Sequence, residues 1–201
     1  MKNIKVISVL AMAGLLWAAR AWAVKVGEAA PDFKATDTDG KVQTLKSFKG
    51  KYVVLEWTNK DCPFVKKHYN SQNMQNLQRE YAGKGVAWLS IISSREGKRG
   101  FMTAEGANAA KEQWKASPTA ILLDPQGKVA RLYGAKTTPH MFVINPKGIL
   151  IYAGAIDDQA TPDPADVAAA KNYVKAALDA DMAGKPVETP LTKPYGCSVK
   201  Y

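Results

Sequence analysis

Tyr52-Val-Val-Leu-Glu-Trp57 is the stretch that decides the fold, and Thr-Asn-Lys-Asp-Cys62-Pro63 follows it directly. A run of β-branched and aromatic residues such as this predicts a buried strand. Pro63 predicts the start of a helix, because proline is favoured in the first helical turn, where its missing N–H has no partner to lose. Cys62 therefore lies at the junction between the strongest predicted strand and a helix.

Strands and helices alternate along the rest of the chain. The pattern predicts an extended segment at 26–33, strands at 42–45, 86–92, 119–123, 141–145 and 149–152, and helices at 63–82, 103–115, 126–133 and 164–182. Pro146-Lys-Gly148 predicts a hairpin turn between the last two strands. Alternation of this kind favours a sheet covered by helices on both faces. The sequence predicts an α/β fold with a mixed central sheet, an order of elements that is compatible with several folds.

The first twenty-three residues have the pattern of a secretory signal peptide. Lys2 and Lys5 form a basic start, Val6 to Trp17 is apolar, and Ala21-Trp-Ala23 is a small-x-small cleavage signal. We predict cleavage after Ala23 and a periplasmic or secreted product with no membrane span, the alternative being an uncleaved anchor helix. The remaining chain divides into one domain at 24–182 and an irregular C-terminal tail at 183–201 with three prolines.

Composition excludes several classes of protein. The chain has 201 residues, of which 46% are hydrophobic and 23% charged, with a formal net charge of +10. This composition is that of a globular protein. The basic residues are scattered and no nucleic-acid motif is present, so we expect no nucleic-acid partner. Two cysteines are too few for a disulfide scaffold or a Cys-rich metal cluster.

Cys62 is the first candidate for chemistry. A helix N-terminus stabilises a thiolate and lowers the pKa of the thiol, and Lys60, Lys66 and Lys67 add positive potential nearby. The thiolate is the nucleophilic form of cysteine. The alternative is a buried, inert cysteine.

Two further stretches form an opening motif and a Thr-Pro hairpin motif: Val26-Gly-Glu-Ala-Ala-Pro-Asp-Phe33, Asp39-Gly40, Leu45, Phe48-Lys-Gly-Lys51, Thr137-Thr-Pro139 and Met141-Phe-Val-Ile-Asn145. In these motifs the sequence resembles the redoxin proteins of the thioredoxin fold, in their peroxiredoxin-like (AhpC/TSA) and TlpA-like branches. The resemblance implies that Pro139 is cis, that its loop faces the active cysteine, and that the Thr138 backbone pairs with a bound thiol substrate. We assign Pro63, Thr138 and Pro139 to substrate binding.

The active-site motif departs from both branches. Thioredoxins have Cys-x-x-Cys, whereas this chain has Cys62-Pro-Phe-Val65. Peroxiredoxins have Thr-x-x-Cys, and on that alignment Val65 stands at the peroxide-reactive position. The resemblance is therefore to exported redoxins with a lone first cysteine, in which the usual peroxidase site is missing.

Two further residues are assigned to catalysis. Glu56 stands six residues before Cys62, where thioredoxins have a buried carboxylate that serves proton transfer, and burial would raise its pKa towards a general-base range. The alternative is a Glu exposed at a sheet edge. Cys197 in the mobile tail would act as a resolving thiol for Cys62, or form a structural disulfide with it.

These residues predict an exported thiol–disulfide oxidoreductase or antioxidant with Cys62 as nucleophile. Its partners would be thiol or disulfide protein clients, or a small thiol or peroxide, and an external thiol reductant, with no cofactor. The alternative is a non-enzymatic binding protein: a client-binding chaperone, or a copper(I) carrier using Cys62, His140, Met141 and Cys197. We expect no metal, and His68 is predicted to lie on a different helix face from Cys62.

Overall fold

The structure is a computed structural model, and it describes residues 24–201. The predicted signal peptide, 1–23, lies outside the described residues. The strands are β1 (Lys34–Asp37), β2 (Val42–Thr44), β3 (Val53–Trp57), β4 (Ala87–Ile92), β5 (Ala120–Leu123), β6 (Thr137–Thr138), β7 (His140–Ile144), β8 (Leu150–Gly154) and β9 (Cys197–Ser198). The α-helices are α1 (Pro63–Asn70), α2 (Asn73–Gly83), α3 (Ala104–Trp114), α4 (Lys128–Tyr133) and α5 (Tyr173–Met182), and 3₁₀ turns occur at Leu45–Phe48 and Pro164–Ala169.

The central sheet has seven strands in the order β2-β1-β5-β4-β3-β7-β8. Strands β3, β4 and β5 run parallel, whereas β1 and β7 join the sheet antiparallel and β7 forms a hairpin with β8. All five residues of β3 are buried. The predicted mixed sheet flanked by helices is confirmed, and Tyr52–Trp57 supplies one of its inner strands.

The two faces of β3 carry different chemistry. Leu55 and Trp57 point into a cluster with α4 and β7, where the Trp57 ring lies 5.1 Å from that of Phe142. Val54 and Glu56 point to the opposite face, which α1, α2 and α5 cover. Since side chains alternate along a strand, Glu56 lies on the face that also receives Cys62.

One predicted helix, 63–82, is two helices. Helix α1 ends at Asn70 and Ser71 is its C-cap residue, whose Oγ donates to the His68 carbonyl oxygen at 3.3 Å; Gln72 then has a left-handed φ of 63°. Ser side chains compete in this way for helical carbonyls. The change of direction brings Tyr69 of α1 and Gln78 of α2 to the same carboxylate, Glu56.

The predicted helix 164–182 is also interrupted. A 3₁₀ turn at Pro164–Ala169 gives way to extended backbone at Ala170, and α5 begins only at Tyr173. Asn172 caps α5 by accepting the Lys175 N–H at 2.9 Å. A capping residue favours a new helix start over continuation of the old one.

Three strands were not predicted, and two of them bear on the site. β1 follows the extended segment at 26–33, and β6 pairs antiparallel with β9 in a separate two-stranded sheet. The tail is irregular over most of its length, and it lies back against the domain. The Val199 N–H of the tail donates to the Lys136 carbonyl oxygen at 3.0 Å, and the backbone N–H of Arg95 donates to the Lys200 carbonyl oxygen at 2.9 Å.

Within residues 24–201, none of the helices combines the length and the apolar character that crossing a membrane requires.

Candidate active site

Cys62 is the N-cap residue of α1, as the sequence predicted, and its side chain is 1% exposed. Its N–H bonds the Asn59 carbonyl, and its own carbonyl accepts the first helical N–H bonds from Val65 and Lys66. Pro63 occupies the first helical position and is exposed beside it. The strand β3 and the helix α1 thus hold the sulfur at a helix N-terminus.

The loop before β7 closes over this sulfur. The Thr138–Pro139 peptide bond is cis, as predicted, and the Cys62 Sγ donates to the Thr138 carbonyl oxygen at 3.0 Å. Thr138 is buried and pairs with Cys197 in the β6–β9 register. The Thr138 Oγ1 donates to the Cys197 carbonyl at 3.4 Å. The structure therefore brings together Cys62, Thr138, Pro139 and Cys197.

The two thiols influence each other's ionisation. Burial opposes ionisation of Cys62, but hydrogen bonds from the Cys197 side chain and backbone, and then from Thr138 and Val65, hold its pKa below the ordinary value. Burial and the hydrogen bond to Cys62 raise the pKa of Cys197. Both cysteines are free thiols. Cys62 is consequently the thiol that ionises first, and Cys197 is its proton-bearing neighbour.

The lysines around Cys62 contribute less than the sequence suggested. Lys60 pairs with Asp61 at 3.0 Å, and Lys67 points inward to Asp157 at 3.4 Å. Since an ion pair cancels much of the field of each partner, the cysteine, threonine and backbone donors account for the lowered pKa of Cys62.

Glu56 is fully buried on the same face of the sheet as Cys62, not exposed at a sheet edge. Four donors reach its carboxylate: Tyr69 Oη at 2.8 Å, Trp88 Nε1 at 2.7 Å, Ser90 Oγ at 3.0 Å and Gln78 Nε2 at 3.4 Å. Desolvation raises the pKa of Glu56 despite these bonds. No hydrogen bond joins Glu56 to Cys62 in the part of the chain that the structure describes.

The two histidines do not approach Cys62. His140 lies on the other face of the sheet, with its ring 4.4 Å from Phe142, because β7 alternates and places Met141 on the Cys62 side. His68 faces Tyr195 and Asn73. Burial lowers the pKa of each histidine to about 3, so both are neutral.

The proposed copper(I) set is therefore split between two faces of the sheet. Within residues 24–201, no cluster of three or more His, Cys, Asp or Glu side chains is arranged to coordinate a metal ion.

Sequence reasoning missed the residues that hold the tail. The Tyr195 hydroxyl donates to Asp157, lies 3.1 Å from His68 Nε2, and its ring is 5.7 Å from that of Phe64. Lys67 is fully buried in the same place. We call Lys67, His68 and Asp157 the anchor cluster. The adjacent residues Lys67 and His68 gave no sign in the sequence that they bind the tail, because their partner Asp157 is distant in sequence.

Residues 26–153 match the AhpC/TSA family, and this range includes Glu56, Cys62, Thr138 and Pro139. The chain belongs to the AhpC/TSA family. It is a member of the thioredoxin-fold redoxin superfamily. Cys197 and the rest of the tail lie outside the matched range.

One named relative and one solved structure are similar to this redoxin over most of its chain. The thiol-disulfide oxidoreductase ResA of Bacillus thuringiensis subsp. konkukian is 30% identical over 128 residues, which are 64% of this chain and 68% of that protein. A hypothetical protein of Sinorhizobium meliloti 1021 has a solved structure with a TM-score of 0.74 and 27% identity, covering 89% of this chain and 95% of its own.

The thioredoxin domain of a thiol-disulfide oxidoreductase from Bacteroides vulgatus has a TM-score of 0.53 at 22% identity. It covers 65% of this chain and 88% of its own, and this likeness shows the fold.

Proposed function

We propose that this redoxin is an exported thiol–disulfide oxidoreductase in which Cys62 is the nucleophile and Cys197 is the resolving thiol. The observation that carries the proposal is the β6–β9 pairing. It puts Cys197 opposite Thr138, whose carbonyl accepts the Cys62 thiol. The relatedness to thiol-disulfide oxidoreductases such as ResA supports the same reaction class.

The reaction consists of two balanced exchanges. The Cys62 thiolate attacks a client disulfide, forming a mixed disulfide and releasing one client thiolate, which takes up a proton. Cys197 then loses its proton and attacks the Cys62 sulfur, forming a Cys62–Cys197 disulfide and releasing the second client thiol. The client gains two electrons and the redoxin loses two, and an external dithiol restores the two protein thiols.

Glu56 is proposed to exchange protons with this site. It is buried on the Cys62 face of the sheet, and its raised pKa brings it nearer to the range in which a carboxylate serves as a general base. Tyr69, which donates to Glu56, lies in the same apolar cluster as Cys62. We assign Glu56 a proton-transfer role through this buried cluster.

Pro63, Thr138 and Pro139 are proposed to bind the client. Thr138 presents its backbone at the Cys62 sulfur, and Pro63 is exposed next to Cys62 at the start of α1. An extended client segment would pair with the Thr138 backbone, as a strand does when it joins a sheet edge.

Export is part of the proposal and rests on 1–23. The apolar run of Val6 to Trp17 is too short for a stable span, and Ala21-Trp-Ala23 provides a cleavage signal. N-terminal sequencing of the protein recovered from the cell envelope or the medium should begin at Val24. A full-length cytoplasmic product would contradict export and leave the cysteine chemistry untouched.

The redox pair is tested by titrating the protein between reduced and oxidised dithiols and then alkylating the free thiols for mass spectrometry. We expect an intramolecular disulfide in the oxidised protein. With Cys197→Ser, we expect mixed disulfides between Cys62 and clients to accumulate, because the resolving step is lost. Cys62→Ser is the control that should trap nothing.

Two free thiols at every potential would contradict the pair. A Cys62 pKa near 8.5 in the reduced protein would favour a binding protein over an enzyme.

A further inference from the structure

The tail covers the place where a client would pair. β9 supplies Cys197 opposite Thr138 and Ser198 opposite Thr137. A strand edge has one set of backbone N–H and C=O groups on a given side, so a client segment cannot use those groups while β9 does. Cys62 is 1% exposed beneath this arrangement. The Cys62 sulfur therefore meets a large client only after residues 197–198 move.

The pairing is tight enough to demand glycine at one position. Gly196 has a φ of 127°, and a Cβ there would overlap the Thr138 carbonyl oxygen. This φ is one that residues with a side chain rarely adopt. Tail and loop thus approach at backbone level immediately before Cys197.

Tyr195 attaches this strand to the body of the domain. Its hydroxyl donates to Asp157, which also pairs with the fully buried Lys67 at 3.4 Å. The His68 Nε2 lies 3.1 Å from the same hydroxyl. A hydrogen bond to a charged group is stronger than a bond between two neutral groups. Tyr195 stands two residues before Cys197, so losing its hydroxyl contact weakens the attachment of the paired strand on the N-terminal side, while Val199 and Lys200 bond the domain on the C-terminal side.

We propose that the C-terminal segment 195–201 is a built-in competitor for the client edge at Thr138, and that Tyr195 on the anchor cluster sets how often the edge is free. This inference rests on the proposed function of Cys62. The segment holds the resolving thiol in place when no client is bound. A client disulfide reacts with Cys62 in the fraction of molecules whose tail has left the edge.

Alkylation of Cys62 measures that fraction directly. In a Cys197→Ser background, iodoacetamide can label only Cys62. Tyr195→Phe deletes the hydroxyl and keeps the ring that contacts Phe64. We expect the alkylation rate to rise on the order of tenfold, the effect of losing about 1.4 kcal/mol from the closed state. Tyr201→Phe is the matched control in the same tail, because the Tyr201 ring packs on Arg131; its rate should equal that of the background protein.

A second variant tests the pairing itself. Gly196→Ala would push the tail from the Thr138 carbonyl, and we expect faster alkylation and faster mixed-disulfide formation with a disulfide-containing peptide. Gly184→Ala is its control, since Gly184 also has a positive φ of 68° but nothing within 4 Å of its added Cβ. Thermal unfolding of each variant establishes that the domain is folded.

Unchanged rates in both Tyr195→Phe and Gly196→Ala would overturn the competition. The readout is chemical accessibility and not turnover. Faster alkylation with no Cys62–Cys197 disulfide at any potential would therefore keep the tail inference and reject the resolving role.

Discussion

At the scale of single residues, the pKa values of Cys62 and Glu56 move in opposite directions although both groups are buried. Desolvation favours the neutral form of each acid, and donors favour the anion. Around Cys62 the donors outweigh desolvation, whereas around Glu56 four donors do not. The Cys62 thiol therefore ionises at a lower pH than an ordinary thiol, whereas the Glu56 carboxyl group keeps its proton to a higher pH than an ordinary glutamic acid.

We predict that Glu56→Gln slows thiol exchange at Cys62 and removes one limb of its pH profile. The amide keeps the size of the carboxylate but cannot accept or release a proton. Exchange with a small disulfide reagent, followed from pH 5 to 9, measures the effect. Identical profiles for parent and variant would remove Glu56 from the proton transfer.

The same variant changes how stability depends on pH. The folded pKa of Glu56 is raised, so its stabilising contribution is complete below the unfolded pKa and is lost as pH rises through the folded pKa. As pH rises across that interval, the melting temperature of the parent should therefore fall relative to that of Glu56→Gln. The two melting temperatures should be most similar at low pH. A parent-minus-variant difference that does not vary with pH would contradict a raised pKa.

We predict slow reaction with hydrogen peroxide. On the alignment that the resemblance to peroxiredoxins implies, Val65 stands at the position of their peroxide-reactive cysteine, and its side chain is fully buried in the apolar cluster beneath α1. Stopped-flow measurement should give Cys62 a rate constant near that of an ordinary thiolate. A value comparable with that of a full peroxiredoxin would show that Cys62 is itself a peroxidatic cysteine.

At the scale of elements, the break between α1 and α2 stores backbone strain. Gln72 is exposed and has a φ of 63°, a conformation that disfavours residues with a Cβ. We predict that Gln72→Gly stabilises the protein by about 0.5–1 kcal/mol, since glycine adopts this φ without the steric cost. Urea unfolding gives the free energy of unfolding.

Asn76→Gly is the comparison for that prediction. Asn76 is exposed within α2, where the backbone is helical, so glycine there should destabilise by several tenths of a kcal/mol to about 1 kcal/mol. Loss of stability in both variants would mean that the left-handed position carries no relievable strain.

At the scale of the whole molecule, the proposed redox pair joins residues from distant parts of the chain. A lowered Cys62 pKa stabilises the reduced form, because its thiolate is favoured. We predict a reduction potential for Cys62–Cys197 less negative than about −300 mV, the value below which structural disulfides fall. Equilibration with dithiol buffers and alkylation measures it.

A purely structural bond would behave differently. For the long loop between Cys62 and Cys197, the loss of chain entropy in the unfolded state would stabilise the folded protein by on the order of 4–5 kcal/mol. Reduction of a structural bond would therefore markedly lower the melting temperature. A potential below about −300 mV together with that loss would reject the catalytic assignment of Cys197.

The local pattern of the sequence determined the central elements. Three features depend only on residue type and on neighbours in sequence: the strand from Tyr52 to Trp57, the helix start at Cys62 and the closing hairpin. Hydrophobic periodicity and the preferences of turn and cap residues predict such features well. The helices at 63–82 and 164–182 were predicted too long, since a left-handed residue and a new cap interrupt periodic stretches without disturbing their apolar spacing.

Tertiary structure alone decided how the tail is held. Two-residue strands such as β6 and β9 leave no periodic signal, and they lie beside the contact of Tyr195 with the anchor cluster, whose residues are distant in sequence. Likewise, strand alternation in β7 placed His140 on the face away from Cys62. Local propensity acts between neighbours in sequence, whereas these contacts depend on which distant backbones and charges the packed domain brings together.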